Sequence, residues 1–129
     1  GTVLTLNVGM ERVRIVEWLE DDPYPMALVE RLEDGVATAA VESVVEDCRL
    51  LLASVRDLAA ELGAEVGVEP SLSDDPIRAT FQIASLAPLQ AFDQQKVLEA
   101  DDPLTRAQTL RAELVGMVEM LTLELAVGR

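Results

Sequence analysis

The chain has 129 residues, half of them hydrophobic, and a mean hydropathy of +0.22. This is enough apolar material for one domain with a real core, and it excludes wholesale disorder. The formal net charge is −14. Phosphate backbones and anionic membrane surfaces would be repelled by such a chain, so we expect neither nucleic acid nor a membrane as its partner.

The residue types exclude most common catalytic sites. There is no histidine, which removes Ser-His-Asp and Cys-His catalysis, zinc sites that use histidine, and Glu-x-x-His di-iron sites. Lys96 is the only lysine, and Ser85, the serine nearest to it, lies across a proline. No glycine-rich phosphate loop is present. We therefore predict a protein that is not an enzyme and that has no cofactor and no metal.

One catalytic alternative stays open because acidic residues abound. Paired carboxylates can perform acid–base chemistry without histidine. Glycosidase clefts, however, use aromatic side chains to stack sugars, and only 3% of this chain is aromatic. The three Asp-Asp-Pro sequences at 21–23, 74–76 and 101–103 are better interpreted as capping and turn chemistry than as metal sites.

The amino-terminal part alternates in the manner of β-strands. Apolar and β-branched residues predict three strands, over residues 2–8, 11–19 and 24–34. Simple alternation in the second strand places Val13 and Ile15 on one face and Trp18 on the other, with Arg12 and Arg14.

The rest of the chain has helical periodicity. The spacing predicts helices over about 36–63, 76–87, 90–99 and 103–127. Gly63 is expected to end the first of them in a left-handed cap, and Pro88 to end the second. Asp75 before Pro76 and Asp102 before Pro103 are typical of helix starts.

Apolar stripes in these segments predict the core. The first helix has a stripe at Val41, Val44, Cys48, Leu51, Val55, Leu58 and Leu62. The last has one at Leu104, Ala107, Leu110, Leu114, Met117, Leu121 and Leu125. The second carries Ile77, Phe81, Ala84 and Leu86, and the third carries Phe92, Val97 and Leu98. We expect the two long helices to pack against each other. The predicted fold class is α+β dominated by helix, with an antiparallel sheet of about three strands on about four helices.

Cys48 is the only cysteine, so no internal disulfide can form. Its place in the apolar stripe predicts a buried, structural thiol. A single cysteine without an internal disulfide favours a reducing, cytoplasmic setting.

The order of several sequence features resembles one known family. A β-rich segment that ends in Asp-Asp-Pro-Tyr-Pro-Met-Ala-Leu-Val-Glu, residues 21–30, precedes the long helix. Residues 81–89 read Phe-Gln-Ile-Ala-Ser-Leu-Ala-Pro-Leu, and residues 93–100 read Asp-Gln-Gln-Lys-Val-Leu-Glu-Ala. This pattern is similar to the amino-terminal substrate-recognition domain of Lon proteases, which also occurs as a stand-alone protein. The resemblance covers nearly the whole chain and is strongest over residues 81–125.

The resemblance implies a bent β-sheet part followed by a helical bundle. Gly9-Met10-Glu11-Arg12 fits a Gly-x-x-Arg element late in that sheet, so we expect that the family's first strands are absent from this chain. Residues 1–35 would be the remnant of the sheet and residues 36–129 the bundle, within one continuous domain. We expect the family's ATPase and Ser-Lys peptidase modules to be absent from this chain too.

The function implied by the resemblance is binding of unfolded or damaged polypeptide, or docking of protein partners, without chemistry. Large apolar groups near a turn make Trp18, Tyr24 and Met26 our candidate contacts, although they could instead cover the core face of the sheet. The alternative function is a structural or oligomerisation module. A sheet without its first strands would have an unpaired edge, which predicts a homodimer or strand exchange.

Overall fold

The computed structural model describes residues 1–5 and 9–128. The chain divides into two compact units, Gly1–Asp34 and Gly35–Arg129. We call them the hairpin unit and the helical unit.

The described residues of the hairpin unit form two antiparallel strands, β1 (Arg12–Leu19) and β2 (Met26–Leu32). The register runs from Arg12 opposite Leu32 to Leu19 opposite Met26, with an irregularity between Ile15 and Glu17. Because Val16 has no partner in this register, it is the extra residue of a β-bulge.

The fold class is confirmed, but the strand count is not. The described residues form two strands and not three. Residues 2–5 of the predicted first strand are exposed and lie in no strand, and residues 6–8 lie outside the described part of the chain. A β-rich composition shows only that a segment suits a sheet; a strand also needs a neighbour to accept and donate its backbone hydrogen bonds.

The helical unit contains four helices, as predicted. They are α1 (Ala39–Glu61), α2 (Pro76–Leu86), α3 (Ala91–Glu99) and α4 (Pro103–Val127). The predicted start of α1 at residue 36 is early, because Thr38 is the N-cap: its Oγ1 accepts from the Val41 N–H at 3.3 Å. Gly35, just before it, has φ +83°, and a Cβ there would lie 2.7 Å from Cγ of Pro103.

Local caps fix the other helix ends. Gly63 has φ +95°, and its N–H donates to the Ala60 carbonyl while the Ala64 N–H donates to that of Ala59, which is a Schellman motif. The Asp75 carboxylate accepts from the Ile77 N–H at 3.0 Å, and that of Asp102 from the Thr105 N–H at 2.8 Å. The predicted caps are therefore confirmed.

The core lies between α1 and α4, which pack against each other more extensively than any other pair of helices. The predicted stripes are largely confirmed, with Val45 and Leu52 added on α1. On α2, Ile83 is fully buried and Leu86 is half exposed, so the predicted position of Leu86 was wrong. On α3, Val97 is buried while Phe92 and Leu98 are exposed. The core residues are Val41, Val44, Val45, Cys48, Leu52, Val55, Ala79, Ile83, Ala84, Ala87, Val97, Ala107, Leu110 and Leu114.

Cys48 is fully buried, as predicted, and its thiol donates to the Ala107 carbonyl at 3.6 Å. Burial raises the pKa of this thiol to about 12, and nearby Arg111 opposes the rise. The thiol therefore stays protonated at neutral pH and links α1 to α4.

The buried cation of the unit is Arg106, which periodicity did not predict. Its side chain is 0% exposed. Its Nη2 donates to the Ala100 carbonyl at the end of α3 at 3.0 Å, and its guanidinium carbon lies 4.8 Å from the ring centre of Phe81 on α2. One side chain of α4 thus joins three helices.

Polar contacts complete the packing. Arg111 of α4 pairs with Asp47 of α1 at 2.9 Å. Lys96 of α3 pairs with Glu113 of α4 at 2.8 Å, and this hydrogen bond is the main reason that the pKa of Lys96 is raised. None of the helices in the described part of the chain is long and apolar enough to cross a membrane.

We expect the substitution Arg106→Met to lower the free energy of unfolding by about 2–4 kcal/mol, because a charged hydrogen bond and a desolvated cation–π contact are both lost. Methionine retains much of the aliphatic volume. Urea unfolding followed by far-ultraviolet circular dichroism measures the loss. The matched control is Arg78→Met on exposed α2 surface, for which we expect a change within about 0.5 kcal/mol. Equal losses in the two variants would contradict the assigned role of Arg106.

Candidate functional site

One face of the hairpin is almost entirely apolar. Residues directly opposite in an antiparallel pair share a face, so the register places Ile15 with Val29 and Trp18 with Ala27. Val13 continues this face towards the open end of the hairpin, opposite Arg31. The apolar face therefore consists of Val13, Ile15, Trp18, Ala27 and Val29, and Ala27 is the only one of them that is not exposed.

The opposite face is mixed. Arg14 pairs with Glu30 at 3.0 Å near the open end, while Leu19 and Met26 are opposite each other near the turn. Arg12 is almost buried, and its Nε donates to the Asp34 carboxylate at 2.6 Å. Its Nη2 donates to the Glu33 carbonyl at 2.9 Å. These bonds fix the open end of the hairpin.

The bulge decides the face on which Trp18 lies. Unbroken alternation predicted Trp18 beside Arg12 and Arg14. The extra residue, Val16, shifts the alternation by one position, so Trp18 joins Val13 and Ile15 instead. The expected place of Trp18 in the sheet was therefore wrong, and the true one gives the apolar face its largest side chain.

The three sequence-predicted contacts lie at the turn end of the hairpin but not on one face. Trp18 is on the apolar face, Met26 is on the mixed face, and Tyr24 is in the connection between the strands. Their exposed fractions are 66% for Trp18, 64% for Tyr24 and 39% for Met26. None of them is covered by the rest of the described chain in the manner of a core residue.

The aliphatic partners of Trp18 could not be identified from the sequence alone. Val13 and Ile15 were recognised as alternating residues, but nothing local marks them as exposed. Val29 lies opposite Ile15 in the register, and nothing in the local sequence marks it as exposed either. The signal that could have grouped them with Trp18 is the bulge, and a bulge is a property of strand pairing.

The chemistry available on this surface is burial of apolar groups. Arg31, at its margin, is already paired with Glu11 at 2.7 Å. Within the described ranges no cluster of Cys, Asp and Glu could hold a metal ion. The connection between the strands contains Glu20, Asp21 and Asp22, so an acidic segment borders the aromatic end.

The comparison with family models gives a match over residues 1–115, to the ATP-dependent protease La (LON) substrate-binding domain. The chain belongs to this family. The Lon protease of Heliobacterium modesticaldum is 30% identical over 125 residues, and that of Trichlorobacter lovleyi is 30% identical over 126 residues. Both alignments cover 96% of this chain and 15% of the relative.

A third relative, the Lon protease of Desulfovibrio desulfuricans, is 31% identical over 129 residues, which covers 95% of this chain and 14% of that protein. The chain thus spans about 15% of the length of the Lon proteases it matches. Membership of the Lon substrate-binding family supports a substrate-binding role. The part of Lon that the chain matches is its substrate-binding domain, which is not its catalytic part.

We expect the fluorescence of the single tryptophan, Trp18, to be that of an indole in water, because two thirds of the residue is exposed. The emission maximum of the native protein should hardly move when urea unfolds it, and acrylamide should quench it efficiently in both states. The helical signal in circular dichroism reports unfolding in the same samples. A blue-shifted native emission that is protected from acrylamide would show that Trp18 is covered.

Proposed function

We propose that this Lon-type domain recognises unfolded or damaged polypeptide and performs no chemistry on it. The observation that carries the proposal is the apolar face of the hairpin, where Trp18 lies among the exposed side chains of Val13, Ile15 and Val29. The family match supplies the substrate-binding role, and the hairpin offers a surface suited to it.

The physical basis is that an unfolded chain exposes the apolar side chains that a folded chain buries. Burying apolar surface contributes about 25 cal/mol per Å², and a tryptophan is the side chain that most often anchors an interface. A face of branched aliphatic groups around one indole would bind apolar residues of an unfolded chain, whatever their order in its sequence.

The charge of the chain fits this role. An exposed apolar face promotes self-association, and a net charge of −14 opposes it through repulsion between copies. Tyr24 and Met26 would extend the contact around the turn end of the hairpin. We place the activity in the cytoplasm, on the ground that the one cysteine is a buried thiol.

Fluorescence anisotropy tests the proposal. The probe is a fluorescein-labelled secretory protein held unfolded by reduction and alkylation of its disulfides, and its folded, disulfide-bonded form is the comparison. We expect this chain to bind the unfolded form selectively. The substitution Trp18→Ser should weaken binding at least about tenfold, because truncation of a central tryptophan typically removes 2 kcal/mol or more.

Two further variants control this experiment. Leu123→Ser removes an exposed apolar side chain from α4 and should leave binding unchanged. Met26→Ser, on the mixed face, should weaken binding less than Trp18→Ser does. Equal affinity for the folded and unfolded forms, or full binding by Trp18→Ser, would refute recognition through the apolar face.

The alternative function is an oligomerisation or docking module. It is favoured by exposed apolar residues near the end of α4, namely Met120, Leu123 and Val127. It is also favoured by the sheet, which has only two strands among the described residues and therefore two edges that these residues do not pair. Under this alternative the partner is a second copy of the chain or another protein, and no unfolded substrate is bound.

We expect the isolated chain to form a homodimer, either through these surfaces or by strand exchange. Light scattering should then give a mass that rises with concentration towards twice 14.0 kDa. If Trp18→Ser weakens dimer formation, the interface lies on the hairpin. If Leu123→Ser weakens dimer formation, the interface lies on α4. A constant mass of one chain over a wide concentration range would exclude the dimer.

A further inference from the structure

The charges of the hairpin unit are unevenly distributed along its length. The unit contains three arginines against eight acidic residues, which gives a net charge of −5. Each arginine is in an ion pair, Arg12 with Asp34 at 2.6 Å, Arg14 with Glu30 at 3.0 Å and Arg31 with Glu11 at 2.7 Å. These arginines all lie at the open end, because residues 12–14 are opposite residues 30–32. The positive charges of the unit are therefore already neutralised, and none of them lies near the turn end.

The turn end has negative charge that no cation of the chain neutralises. The connection between the strands, residues 20–25, carries the exposed carboxylates of Glu20, Asp21 and Asp22. Among the residues that the structure describes, none of the three is in an ion pair. The connection begins directly after β1, two residues beyond Trp18. The apolar face of the hairpin thus runs from a neutralised end to an acidic one.

These carboxylates do not suit a small ion. A metal ion needs several oxygen ligands that converge on one point, and no group of Cys, Asp and Glu in the described ranges could hold one. Water screens each exposed carboxylate, so none is a binding group by itself. Charges at the rim of an apolar contact act differently, because they favour or repel the charged residues of whatever chain docks beside them.

The aromatic side chains at this end add to the preference for a positive charge. Trp18 is 66% exposed and Tyr24 is 64% exposed. The faces of such rings attract the cations of lysine and arginine, whose aliphatic stems can also lie on apolar surface while the charged group stays in water. A basic residue at the turn end would therefore contact an aromatic ring and approach the carboxylates at the same time.

We propose that the hairpin selects unfolded segments in which apolar residues are flanked by lysine or arginine, and that it disfavours segments flanked by aspartate or glutamate. This inference rests on the proposed recognition of polypeptide and names its substrate class. The apolar residues of the segment lie on Val13, Ile15, Trp18 and Val29. A basic residue beyond them lies at the turn end, beside Tyr24 and the acidic connection.

Charge also distinguishes this partner from a second copy of the chain. A copy docked on the same face would bring a second acidic connection, and its own arginines are already paired with carboxylates. Like charges that meet in an interface weaken it. A basic unfolded segment has the complementary charge and carries no such penalty, so it suits this face better than another copy does.

Three labelled peptides test the selectivity by fluorescence anisotropy with the whole chain. They share an aliphatic centre of about five residues, because five extended residues span about 16 Å, close to the distance from Val13 to Trp18 along β1. On both sides the centre carries lysines, serines or glutamates. At about 0.1 M salt we expect the lysine peptide to bind at least about tenfold more tightly than the glutamate peptide, with the serine peptide between them. At about 1 M salt, where screening is strong, the ratio should fall to about two.

A triple variant locates the selectivity. Glu20→Gln, Asp21→Asn and Asp22→Asn together remove three charges while they keep the size of each side chain. We expect this variant to bind the lysine and glutamate peptides within about twofold of each other and to bind the serine peptide as the unaltered chain does. Circular dichroism checks that it folds.

The matched control removes the same number of charges from the helical unit. Asp57→Asn, Glu69→Gln and Asp74→Asn lie at exposed positions and give the same net charge as the hairpin variant. This control should keep nearly the full preference for lysine. Equal loss of preference in the two triple variants would show that the total charge of the chain sets the preference, and would overturn the proposal.

The serine peptide separates this inference from the proposed function. If it binds and Trp18→Ser weakens it, polypeptide recognition by the apolar face holds; equal affinities of the lysine and glutamate peptides would then overturn the charge selectivity alone. If no peptide binds, recognition and selectivity both fail. A lysine peptide with a glycine–serine centre should not bind, and binding as tight as that of the aliphatic lysine peptide would also overturn the proposal.

Discussion

The buried guanidinium of Arg106 joins three helices of the helical unit through one side chain. A charge removed from water is costly unless its environment replaces the lost hydration. Here the Ala100 carbonyl at 3.0 Å and the ring of Phe81 at 4.8 Å supply that replacement. The two groups belong to the end of α3 and to α2, and Arg106 itself lies in the first turns of α4. Arg106 therefore adds to the other contacts that hold the short helices on α4, which are the buried Ile83 of α2, the buried Val97 of α3 and the Lys96–Glu113 pair.

The N-cap of α4 helps to place Arg106 for this contact. Asp102 caps the helix through the Thr105 N–H and Oγ1, both at 2.8 Å. The bond from the Thr105 backbone is the largest cause of the lowered pKa of the Asp102 carboxyl, and the charge of Arg106 contributes in the same direction. The cap fixes where α4 begins, and so fixes the turn from which Arg106 reaches the end of α3.

The two units differ in what they do with their apolar residues. The helical unit buries Val, Leu, Ile and Ala in a core with few aromatics, and its short side chains suit close packing of α1 on α4. The hairpin unit leaves Val13, Ile15, Trp18 and Val29 exposed on one face. Apolar surface that is not needed for folding is available for binding. This contrast is why we propose that the hairpin is the part that recognises polypeptide.

The sequence by itself determined the helix ends at Gly63, Asp75 and Asp102, the fold class and the family. Caps are local: Asp75 and Asp102 bind backbone groups two and three residues away, and Gly63 adopts its φ of +95° within one turn of the chain. The burial of Cys48 followed from its place in a stripe that only one face of a helix can present. Composition and the order of motifs were sufficient for the Lon resemblance.

Only the tertiary structure decided the face of Trp18 and the burial of Arg106. The bulge at Val16 exists because β1 and β2 pair in one register, and that register depends on residues in both strands. Arg106 is buried because three helices meet around it. Each of these features is set by contacts between segments far apart in the chain, and periodicity within a single segment carries no information about them.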